Sequence, residues 1–410
     1  MLRTVKKIIP RSVFSFFQPA YHWCLTTLGA IIYRFPARRL TVICVTGTKG
    51  KTTTIEYVNA VLVAAGFSTA VISTLRFKIG ATSSRNMFKM TMPGRMFIQK
   101  SLREAVDAGC THAIIETTSE GAKLFRHAWL FPDALIVTNI APEHIESHGS
   151  YDNYVAAKLS IAQELESSPK PHRALFINTT NPEKEKFLAL NIPIKIEYSR
   201  EHARREGVSI SMLGDFNLEN AAAAHALGIH FHIPLETIRT AIVSVREVQG
   251  RMQPVTIDQP VPFEVIVDYA HTPDSLEAAY GAFPQNKKIC VLGGTGGGRD
   301  TWKRPVMGEI ATRYCDEIIL TDEDPYDEDP RQIVDAIARG ISGKKYTIMM
   351  DRREAISTAV HHARAGDVVL ITGKGTDPYI MGANGTKTPW SDSDEARAAL
   401  EQRYATNHTH

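Results

Sequence analysis

The first residues whose types and spacing could do chemistry form a glycine- and threonine-rich stretch at residues 46–54, Thr-Gly-Thr-Lys-Gly-Lys-Thr-Thr-Thr. The stretch follows a β-branched run typical of a buried strand and precedes a pattern typical of a helix. Backbone N–H groups of such a loop, together with the helix N-terminus, can hold phosphate groups. The Lys51 ammonium would then reach the β- and γ-phosphates, and the Thr52 hydroxyl would hold Mg²⁺.

This loop departs from the usual phosphate-loop spacing because Val45 stands where the first glycine is expected. We interpret it as a shortened form with the pattern G-x-x-G-K-T, and a glycine turn before an ordinary helix is the alternative. The residues assigned to nucleotide binding are Gly47, Thr48, Lys49, Gly50, Lys51, Thr52 and Thr53.

Three later motifs contain side chains suited to metal ions and charged phosphates. Glu116 follows a strand-like run in Ile-Ile-Glu-Thr-Thr-Ser, His144 lies in Ala-Pro-Glu-His-Ile-Glu-Ser-His-Gly, and Lys158 ends Tyr-Val-Ala-Ala-Lys. Mg²⁺ prefers carboxylate, hydroxyl and phosphate oxygens as ligands. Each residue also has a structural interpretation: an acid that caps a helix, a structural or surface histidine, and a solvated helix lysine.

Further motifs follow in the second half of the chain. The pattern Gly-Asp-Phe-Asn-Leu-Glu-Asn predicts Asn217 as a helix cap, with Asn220 on the first helical turn. Glycines after residue 292 would let the backbone approach a ligand closely. The other motif residues are Arg251 in Gly-Arg-Met, Asp268 and His271 in Asp-Tyr-Ala-His-Thr-Pro, and Arg299 and Lys303 behind the glycine-rich run.

In type and order these motifs resemble the Mur ligase family of ATP-dependent amide-forming ligases, over about residues 41–400. Among its members, they are most similar to the UDP-N-acetylmuramoyl-tripeptide synthetases. The resemblance implies that ATP phosphorylates a muramyl-peptide-like carboxylate, and that the amine of an amino acid attacks the acyl phosphate in peptidoglycan precursor synthesis. Two anions meet in such a reaction, so cations must neutralise the site.

The resemblance also implies a role for each motif residue. Lys158 would be carbamylated by CO₂, which requires a neutral amine and therefore a depressed lysine pKa. Two Mg²⁺ ions would be held by the metal ligands Thr52, Glu116, His144 and Lys158. The catalytic residues would be Lys51, His144, Lys158, Arg299 and Lys303, and the nucleotide would also meet Asn217, Asn220, Arg251, Asp268 and His271.

The amino acid site is where the chain departs most from the family. Asp324 and Tyr326 stand where diaminopimelate-adding members have asparagine and arginine, so we expect no cation there to hold a distal carboxylate. Gly373 and Asp377, in Gly-Lys-Gly-Thr-Asp, match a family motif that ends in histidine and glutamate. The acidic run favours a side-chain amine such as that of lysine or ornithine, and an acidic surface loop is the alternative.

Short apolar runs alternate with helical patterns, which predicts an α/β fold. We expect a phosphate-loop central domain with a mostly parallel sheet, at residues 41–248, and a C-terminal doubly wound, Rossmann-like ligase domain at residues 249–410. Residues 1–40 would form a short basic and apolar segment that replaces the family's UDP-sugar domain.

Composition limits the class of protein. A net charge of +3 at pH 7 is too small for a general nucleic-acid binder of this length, so the expected partners are ATP, an amino acid and a muramyl-peptide or related acceptor. Five scattered cysteines without framework spacing indicate a reducing, cytoplasmic setting.

The first forty residues contain seven lysines and arginines and no acid. A helical hairpin packed on the main body is one interpretation of this segment, and a peripheral contact with a membrane surface is the other. Two other functions also stay open: a ligase like folylpolyglutamate synthetase or another peptide-extending enzyme, and a non-catalytic nucleotide-binding scaffold of wall assembly.

Overall fold

The structure, a computed structural model, describes residues 11–405 except positions 89, 95, 144 and 299. The chain divides into two compact units. Unit 1 runs to Ile210 and includes Asn217–Val245, and unit 2 comprises Ser211–Phe216 and the chain from Arg246 onward. The functional domain bounds given above stay a prediction.

Unit 1 is built on an eight-stranded sheet with the order β4-β3-β2-β5-β1-β6-β7-β8. All neighbours are parallel except β2–β3 and β3–β4, which form an antiparallel edge. The strands are β1 Thr41–Thr46, β2 Thr69–Ile72, β3 Arg76–Ile79, β4 Thr82–Arg85, β5 His112–Glu116, β6 Ala134–Val137, β7 Ala174–Asn178 and β8 Ile194–Tyr198.

The helices of unit 1 connect and cover these strands. They are α1 Arg11–Ile32, α2 Lys51–Ala64, α3 Phe97–Asp107, α4 Ser119–Lys123, α5 Ile145–His148, α6 Tyr151–Glu166, α7 Lys184–Leu188, α8 Arg200–Arg205, α9 Phe216–His230 and α10 Leu235–Ser244. A short 3₁₀ helix at Pro36–Arg39 joins α1 to β1.

Unit 2 contains a six-stranded sheet with the order β13-β12-β11-β14-β10-β9. Only β9 is antiparallel to its neighbour. The strands are β9 Gln253–Pro254, β10 Glu264–Asp268, β11 Lys288–Leu292, β12 Glu317–Leu320, β13 Tyr346–Ile348 and β14 Val368–Thr372, and a separate hairpin pairs β15 Tyr379–Met381 with β16 Lys387–Pro389.

The helices of unit 2 are α11 Pro273–Gly281, α12 Lys303–Tyr314, α13 Pro330–Ala338, α14 Arg352–His362 and α15 Asp392–Ala405, with a 3₁₀ turn at Ala383–Gly385. Apolar clusters lie on both faces of the unit 2 sheet, which explains why its central strands are continuous apolar runs. The predicted α/β fold, with one mostly parallel sheet and a second doubly wound sheet, is confirmed.

Two sequence-based expectations need correction. In the described part of the N-terminal segment, Arg11–Ile32 form one helix, α1, with Pro19 inside it, and not the two helices of the predicted hairpin. Cys290 and Cys315 form a disulfide although the scattered cysteines predicted no pairing, because β11 and β12 are neighbours and bring the two Cα atoms to 6.0 Å. Among the described residues, no helix combines the length and hydropathy needed to cross a membrane.

Candidate active site

The site of unit 1 forms where β1 ends between β5 and β6. The chain leaves β1 toward β2 and later returns to β6 on the other side, so this edge of the sheet is a topological switch point. Ligands of open α/β sheets bind in the crevice outside the carboxyl ends of the strands at such a point. The phosphate loop, Glu116 and Thr138 all lie at or directly after these strand ends.

The phosphate loop is held by close packing at its two glycines. Gly47 has φ +146°, and a Cβ there would lie 1.9 Å from Thr138 Oγ1. Gly50 has φ +79°, and a Cβ there would lie 2.1 Å from Asn220 Oδ1. Both positions therefore require glycine for backbone conformation and for space. Asn139 also binds the loop, because its Oδ1 accepts from the Lys49 N–H at 2.9 Å.

The Lys51 side chain folds over this loop. Its Nζ donates to the Gly47 carbonyl at 3.0 Å and to the Thr48 carbonyl at 2.8 Å. A cation held over a loop of backbone N–H groups is suited to receive negatively charged phosphates.

Thr52 and Glu116 meet beside the loop. The Thr52 hydroxyl lies 3.2 and 3.1 Å from the two Glu116 carboxylate oxygens, and Glu116 is buried. The Thr74 N–H donates to Glu116 Oε2 at 2.8 Å and fixes the carboxylate. A hydroxyl and a carboxylate are oxygen donors of the kind that Mg²⁺ prefers, so this pair fits the ion that the sequence predicts.

The structure says less about the other two predicted metal ligands, His144 and Lys158. His144 lies outside the described residues. In the part of the chain that the structure describes, no three His, Cys, Asp or Glu side chains come together as a metal-binding cluster. Thr52 and Glu116 are therefore the two proposed ligands that the structure shows in direct contact.

Lys158 lies on α6 with its side chain buried and its Nζ 2.7 Å from the Gly47 carbonyl. Burial, and secondly the Lys51 ammonium, hold the pKa of Lys158 well below its ordinary value. The aromatic ring of Tyr154, one helical turn earlier, lies under this Nζ at 4.7 Å. A lysine in these surroundings can be a neutral amine, which is the form that reacts with CO₂.

Tyr154 is a site residue whose role the sequence did not predict. Its hydroxyl lies 2.7 Å from Thr48 Oγ1, which also contacts the backbone of Ala141. This contact ties α6, which carries Lys158, to the phosphate loop. The sequence feature that could have indicated this role is the tyrosine that begins the Tyr-Val-Ala-Ala-Lys motif.

The two asparagines of α9 lie beside Gly50 and Thr54. Asn220 Nδ2 donates to Asn217 Oδ1 at 3.0 Å, and the Thr54 hydroxyl lies 3.4 Å from Asn220 Oδ1. The helix begins at Phe216, so Asn217 lies in its first turn and is not the predicted cap. Thr53 is buried in the first turn of α2.

A second group of predicted residues is assembled within unit 2. Asp268 ends β10 and accepts from the backbone N–H groups of Met252 and Ala270, each at 2.7 Å. Burial raises the pKa of Asp268, against the lowering effects of Arg251 and these two donors. The Arg251 guanidinium lies 4.4 Å from the Tyr269 ring centre, and His271 Nδ1 lies 2.8 Å from the Tyr269 carbonyl.

The glycine-rich run leads into α12, where Lys303 is buried at the first position. Its neighbour Arg304 pairs with Glu328 at 2.8 Å and donates to the Thr295 carbonyl at 3.2 Å. Arg299 lies outside the described residues.

A buried lysine of the Gly-Lys-Gly-Thr-Asp motif lies among the residues predicted for the amino acid site, whereas the position of Tyr326 carries no cation, as expected. Lys374 is fully buried, and its Nζ lies 2.7 Å from Asp324 Oδ1 and 3.6 Å from Asp377 Oδ2. The acidic run and Gly-Lys-Gly are fifty positions apart in the sequence, so only the fold reveals the pairing. Tyr326 has φ +53° and donates its backbone N–H to the Met381 carbonyl.

Glu323 is a second residue that the sequence did not single out. Its Oε1 accepts from the Thr295 hydroxyl at 2.8 Å, while its Oε2 is buried and has no hydrogen-bond partner among the described residues. Burial, and secondly Asp324, raise the pKa of this carboxyl group. Gly373 leaves room for the carboxylate, since a Cβ there would lie 2.2 Å from Oε2.

Fold and site together define a two-unit α/β protein with a shortened phosphate loop at a topological switch point of its larger sheet. The Mur ligase middle domain matches residues 45–228, and the glutamate ligase domain of Mur ligases matches residues 250–375. The chain therefore belongs to the Mur ligase family. It is an ATP-dependent acid–amino-acid ligase that forms an amide bond in peptidoglycan precursor synthesis.

Similar proteins support this assignment along most of the chain. A UDP-N-acetylmuramyl-tripeptide synthetase of Roseiflexus sp. is 33% identical, over 92% of this chain and 82% of its own. A UDP-N-acetylmuramoyl-L-alanyl-D-glutamate--2,6-diaminopimelate ligase of Bacillus velezensis is 34% identical, over 92% of this chain and 80% of its own.

Solved structures agree on the fold. The structure of a UDP-N-acetylmuramoyl-L-alanyl-D-glutamate--2,6-diaminopimelate ligase is 28% identical, with a TM-score of 0.59, over 90% of this chain and 79% of its own. A folylpolyglutamate synthase of Mycobacterium tuberculosis complexed with ADP and AMPPCP has a TM-score of 0.69 at 14% identity, over 93% of this chain and 94% of its own, which shows a shared fold alone.

Proposed function

We propose that this ligase joins an amino acid to the free carboxylate of a muramyl-peptide acceptor through an acyl phosphate. A carboxylate oxygen of the acceptor attacks the γ-phosphorus of ATP, and ADP leaves. The amine of the amino acid then attacks the acyl carbon, and the collapsing tetrahedral intermediate releases phosphate and the amide. The contact of Thr52 with Glu116 beside the phosphate loop is the observation that carries this proposal.

The loop residues Gly47–Thr53 would hold the phosphates through backbone N–H groups, and Lys51 would neutralise the transferred phosphoryl group. Thr52 and Glu116, with His144 and Lys158, would hold two Mg²⁺ ions. These ions would supply positive charge where the phosphoryl group and the carboxylate meet. The remaining proposed contacts with the nucleotide and the reacting phosphate are Asn217, Asn220, Arg251, Asp268, His271, Arg299 and Lys303.

We further propose that Lys158 is carbamylated. Its buried Nζ and its lowered pKa favour the neutral amine that adds to CO₂, with loss of one proton. The product is an anion, which would relieve the crowding of Lys51 and Lys158 around the Gly47 carbonyl.

For the amino acid we propose a diamino acid, bound by Asp324, Tyr326, Gly373 and Asp377. Lys374 compensates the charge of Asp324, so the unpaired Oε2 of Glu323 is the acceptor best placed to bind an incoming ammonium group. A buried carboxylate oxygen without a hydrogen-bond partner is costly, and an ammonium group would remove that cost.

The experiment offers the purified protein ATP, Mg²⁺, UDP-muramyl-dipeptide and one candidate amino acid at a time, and records phosphate release. We expect release that requires both acceptor and amino acid, fastest with lysine or ornithine. If phosphate release depends on neither acceptor nor amino acid, the muramyl ligase proposal is wrong. Preference for an amino acid with an apolar side chain would contradict the diamino acid proposal alone.

We also propose a peripheral membrane contact through α1. Tyr21, Leu28, Ile31 and Ile32 are 39%, 46%, 55% and 54% exposed. Their spacing puts them along one face of the helix. Three arginines at positions 34, 38 and 39 follow the helix end and would attract anionic lipids.

Flotation of the full-length protein with vesicles tests this contact. We expect binding to vesicles that contain phosphatidylglycerol, weaker binding to purely zwitterionic vesicles, and loss of binding in Leu28→Glu/Ile32→Glu. The matched control Val63→Glu changes an equally exposed apolar residue of α2 and should still float. If wild type stays at the bottom with both vesicle types, the membrane contact is ruled out.

A further inference from the structure

A buried ion pair joins the first residues of two helices of unit 2. Arg352 begins α14 and Asp392 begins α15, and their side chains are 1% and 0% exposed. The guanidinium group binds both carboxylate oxygens, since Nε lies 2.8 Å from Oδ1 and Nη2 lies 2.7 Å from Oδ2. The Trp390 indole N–H also donates to Oδ1 at 2.8 Å. The carboxylate therefore holds the guanidinium group in one orientation.

Other N–H groups of Arg352 reach the ends of two strands. Nη2 donates to the Thr372 carbonyl at 2.9 Å, and Nη1 donates to the Asp322 carbonyl at 3.3 Å. Thr372 is the last residue of β14, whereas Asp322 follows β12 by two positions. The two strands are not neighbours in the sheet, because β11 lies between them. One guanidinium group thus fixes the ends of two strands that a third strand separates.

Both strand ends continue directly into the amino acid site. Glu323 follows Asp322, and Gly373 follows Thr372. The two loops approach closely there, since a Cβ at Gly373 would lie 2.2 Å from Glu323 Oε2. This oxygen is buried, has no hydrogen-bond partner among the described residues and is the proposed acceptor for an ammonium group. A change in the spacing of the two loops would therefore move this oxygen relative to Gly373.

Arg352 also contributes charge near this carboxyl group. Charged and titratable groups from four segments of unit 2 interact with Glu323: Asp324, Lys374, Arg352 and Tyr269. Burial, and secondly Asp324, raise the pKa of Glu323, whereas Arg352 and Lys374 lower it. Arg352 therefore extends toward lower pH the range in which Glu323 is a carboxylate that can bind an ammonium group.

We propose that Arg352 is a positioning residue for the amino acid site, which holds the Glu323 carboxylate in place and keeps it ionised. This inference rests on the proposed function, because Glu323 is assigned there to the ammonium group of the amino acid. Arg352 does not contact the amino acid in this arrangement. It acts through the carbonyls of Asp322 and Thr372 and through its charge, and Asp392 holds it in the required orientation.

The contacts require the geometry of arginine. The planar guanidinium group donates to a carboxylate and to two carbonyls at the same time. A lysine at this position would carry the same charge on a single nitrogen, which cannot reproduce all of these contacts. Arg352→Lys therefore separates the effect of position from the effect of charge.

The test compares three variants with full-length wild type. Arg352→Met/Asp392→Leu replaces the ion pair with apolar side chains, because removal of Arg352 alone would leave a buried carboxylate unpaired. Arg352→Lys keeps the charge. The matched control Arg353→Met/Glu395→Leu removes the adjacent ion pair of the same two helices, whose atoms lie 2.7 Å apart and whose side chains are 69% and 19% exposed.

Amide formation is measured with ATP, UDP-muramyl-dipeptide and the amino acid that wild type uses fastest, between about pH 5 and pH 9. We expect Arg352→Met/Asp392→Leu to raise the KM for the amino acid at least about tenfold and to change the KM for ATP less than about twofold. Its kcat/KM for the amino acid should fall about one pH unit earlier on acidification, because Glu323 is then protonated at higher pH.

The other two variants separate the contributions. Arg352→Lys should raise the KM for the amino acid while the acid side of its pH profile stays as in wild type, because the charge is retained. The control Arg353→Met/Glu395→Leu should match wild type in both KM values and in the pH profile. Melting temperatures verify that each variant is folded.

An unchanged KM for the amino acid in folded Arg352→Met/Asp392→Leu would overturn the inference. Equal rises in the KM values for the amino acid and for ATP would also overturn it, because they indicate a general disturbance of unit 2. If this variant does not fold, the KM for the amino acid in Arg352→Lys decides in the same way. If wild type forms no amide with any amino acid, the ligase proposal is wrong and this inference fails with it.

Discussion

At the scale of single residues, the site depends on how two lysines share one carbonyl. Lys51 and Lys158 both donate to the Gly47 oxygen, at 3.0 and 2.7 Å. Two ammonium groups this close repel each other, and the buried one gives up its proton more readily. The arrangement agrees with the roles that we propose, Lys51 as the cation that meets the phosphate and Lys158 as the amine that is carbamylated.

Lys158→Ala should reduce kcat at least about a hundredfold, because a proposed metal ligand is removed. Added short carboxylates should restore part of the activity by occupying the vacated space. The control Lys100→Ala changes an exposed lysine of α3 and should stay at wild-type activity. Mass spectrometry of wild type under CO₂ checks for the carbamate, and full activity of Lys158→Ala would contradict its role.

At the scale of elements, the turn between β1 and α2 is set by glycine conformation and by contact with α9. Gly50 and Gly66 bracket α2, with φ values of +79° and +86°. Only Gly50 is crowded, by Asn220, whereas a Cβ at Gly66 would meet nothing within 4 Å. Alanine substitutions at Gly66 and Gly50 can therefore be compared: the first tests the cost of the left-handed backbone alone, and the second adds the cost of the contact with Asn220.

Gly66→Ala should lower the free energy of unfolding by about 1 kcal/mol, the cost of a left-handed backbone for alanine. Gly50→Ala should lower it by about 1–3 kcal/mol more and raise the KM for ATP, because Asn220 must move. Urea unfolding and steady-state kinetics measure both. Equal destabilisation of the two variants would show that the Gly50–Asn220 contact carries no energy.

The turn that follows α4 buries a histidine with a strongly lowered pKa. Burial lowers the pKa of His127 from 6.5 to about 4. The unfolded chain therefore binds more protons between these two values, and stability rises with pH across that window. The contribution is complete above pH 6.5 and is lost as pH falls toward 4, with a limit of about 3 kcal/mol.

His127→Gln should flatten the fall in the free energy of unfolding between pH 6.5 and pH 4. The control His361→Gln changes an exposed histidine of α14 and should leave the slope as it is in wild type. Denaturant titrations at several pH values measure the slope. An unchanged slope in His127→Gln would mean that His127 is protonated in the folded state at pH 5.

The sequence predicts elements well where patterns are local. The apolar and helical patterns predict strands at residues 40–46, 288–292 and 317–320 and a helix at residues 151–165. The strands β1, β11 and β12 and the helix α6 lie within one residue of these bounds, because two-sided burial and helical spacing are visible in the chain itself. The short edge strands β3 and β4 were not predicted, since their residues are only partly buried or exposed and carry little apolar pattern.

At the scale of the whole molecule, what could not be predicted is mostly long-range pairing. Lys374 compensates Asp324 across fifty positions, and Cys290 of β11 meets Cys315, which follows α12 directly. Motif spacing contains no information on such contacts. Motif spacing did indicate the phosphate loop and Glu116, because both lie at the end of a strand. It also indicated Lys158, because that residue belongs to a short motif within one helix.

The charge of the chain is also a whole-molecule property. The net charge of +3 conceals a strongly basic first quarter and an acidic remainder. The basic first quarter belongs to unit 1, whereas the acidic run at residues 322–324 lies in unit 2. An anionic acceptor and a cationic amino acid side chain match these two regions respectively.

The central claim, that ATP activates the acceptor carboxylate as an acyl phosphate, is tested most directly with an acceptor in which both oxygens of that carboxylate are a heavy isotope. The account predicts that each amide formed is accompanied by one phosphate that contains one heavy oxygen from the acceptor. Phosphate without the label, released together with amide, would contradict it.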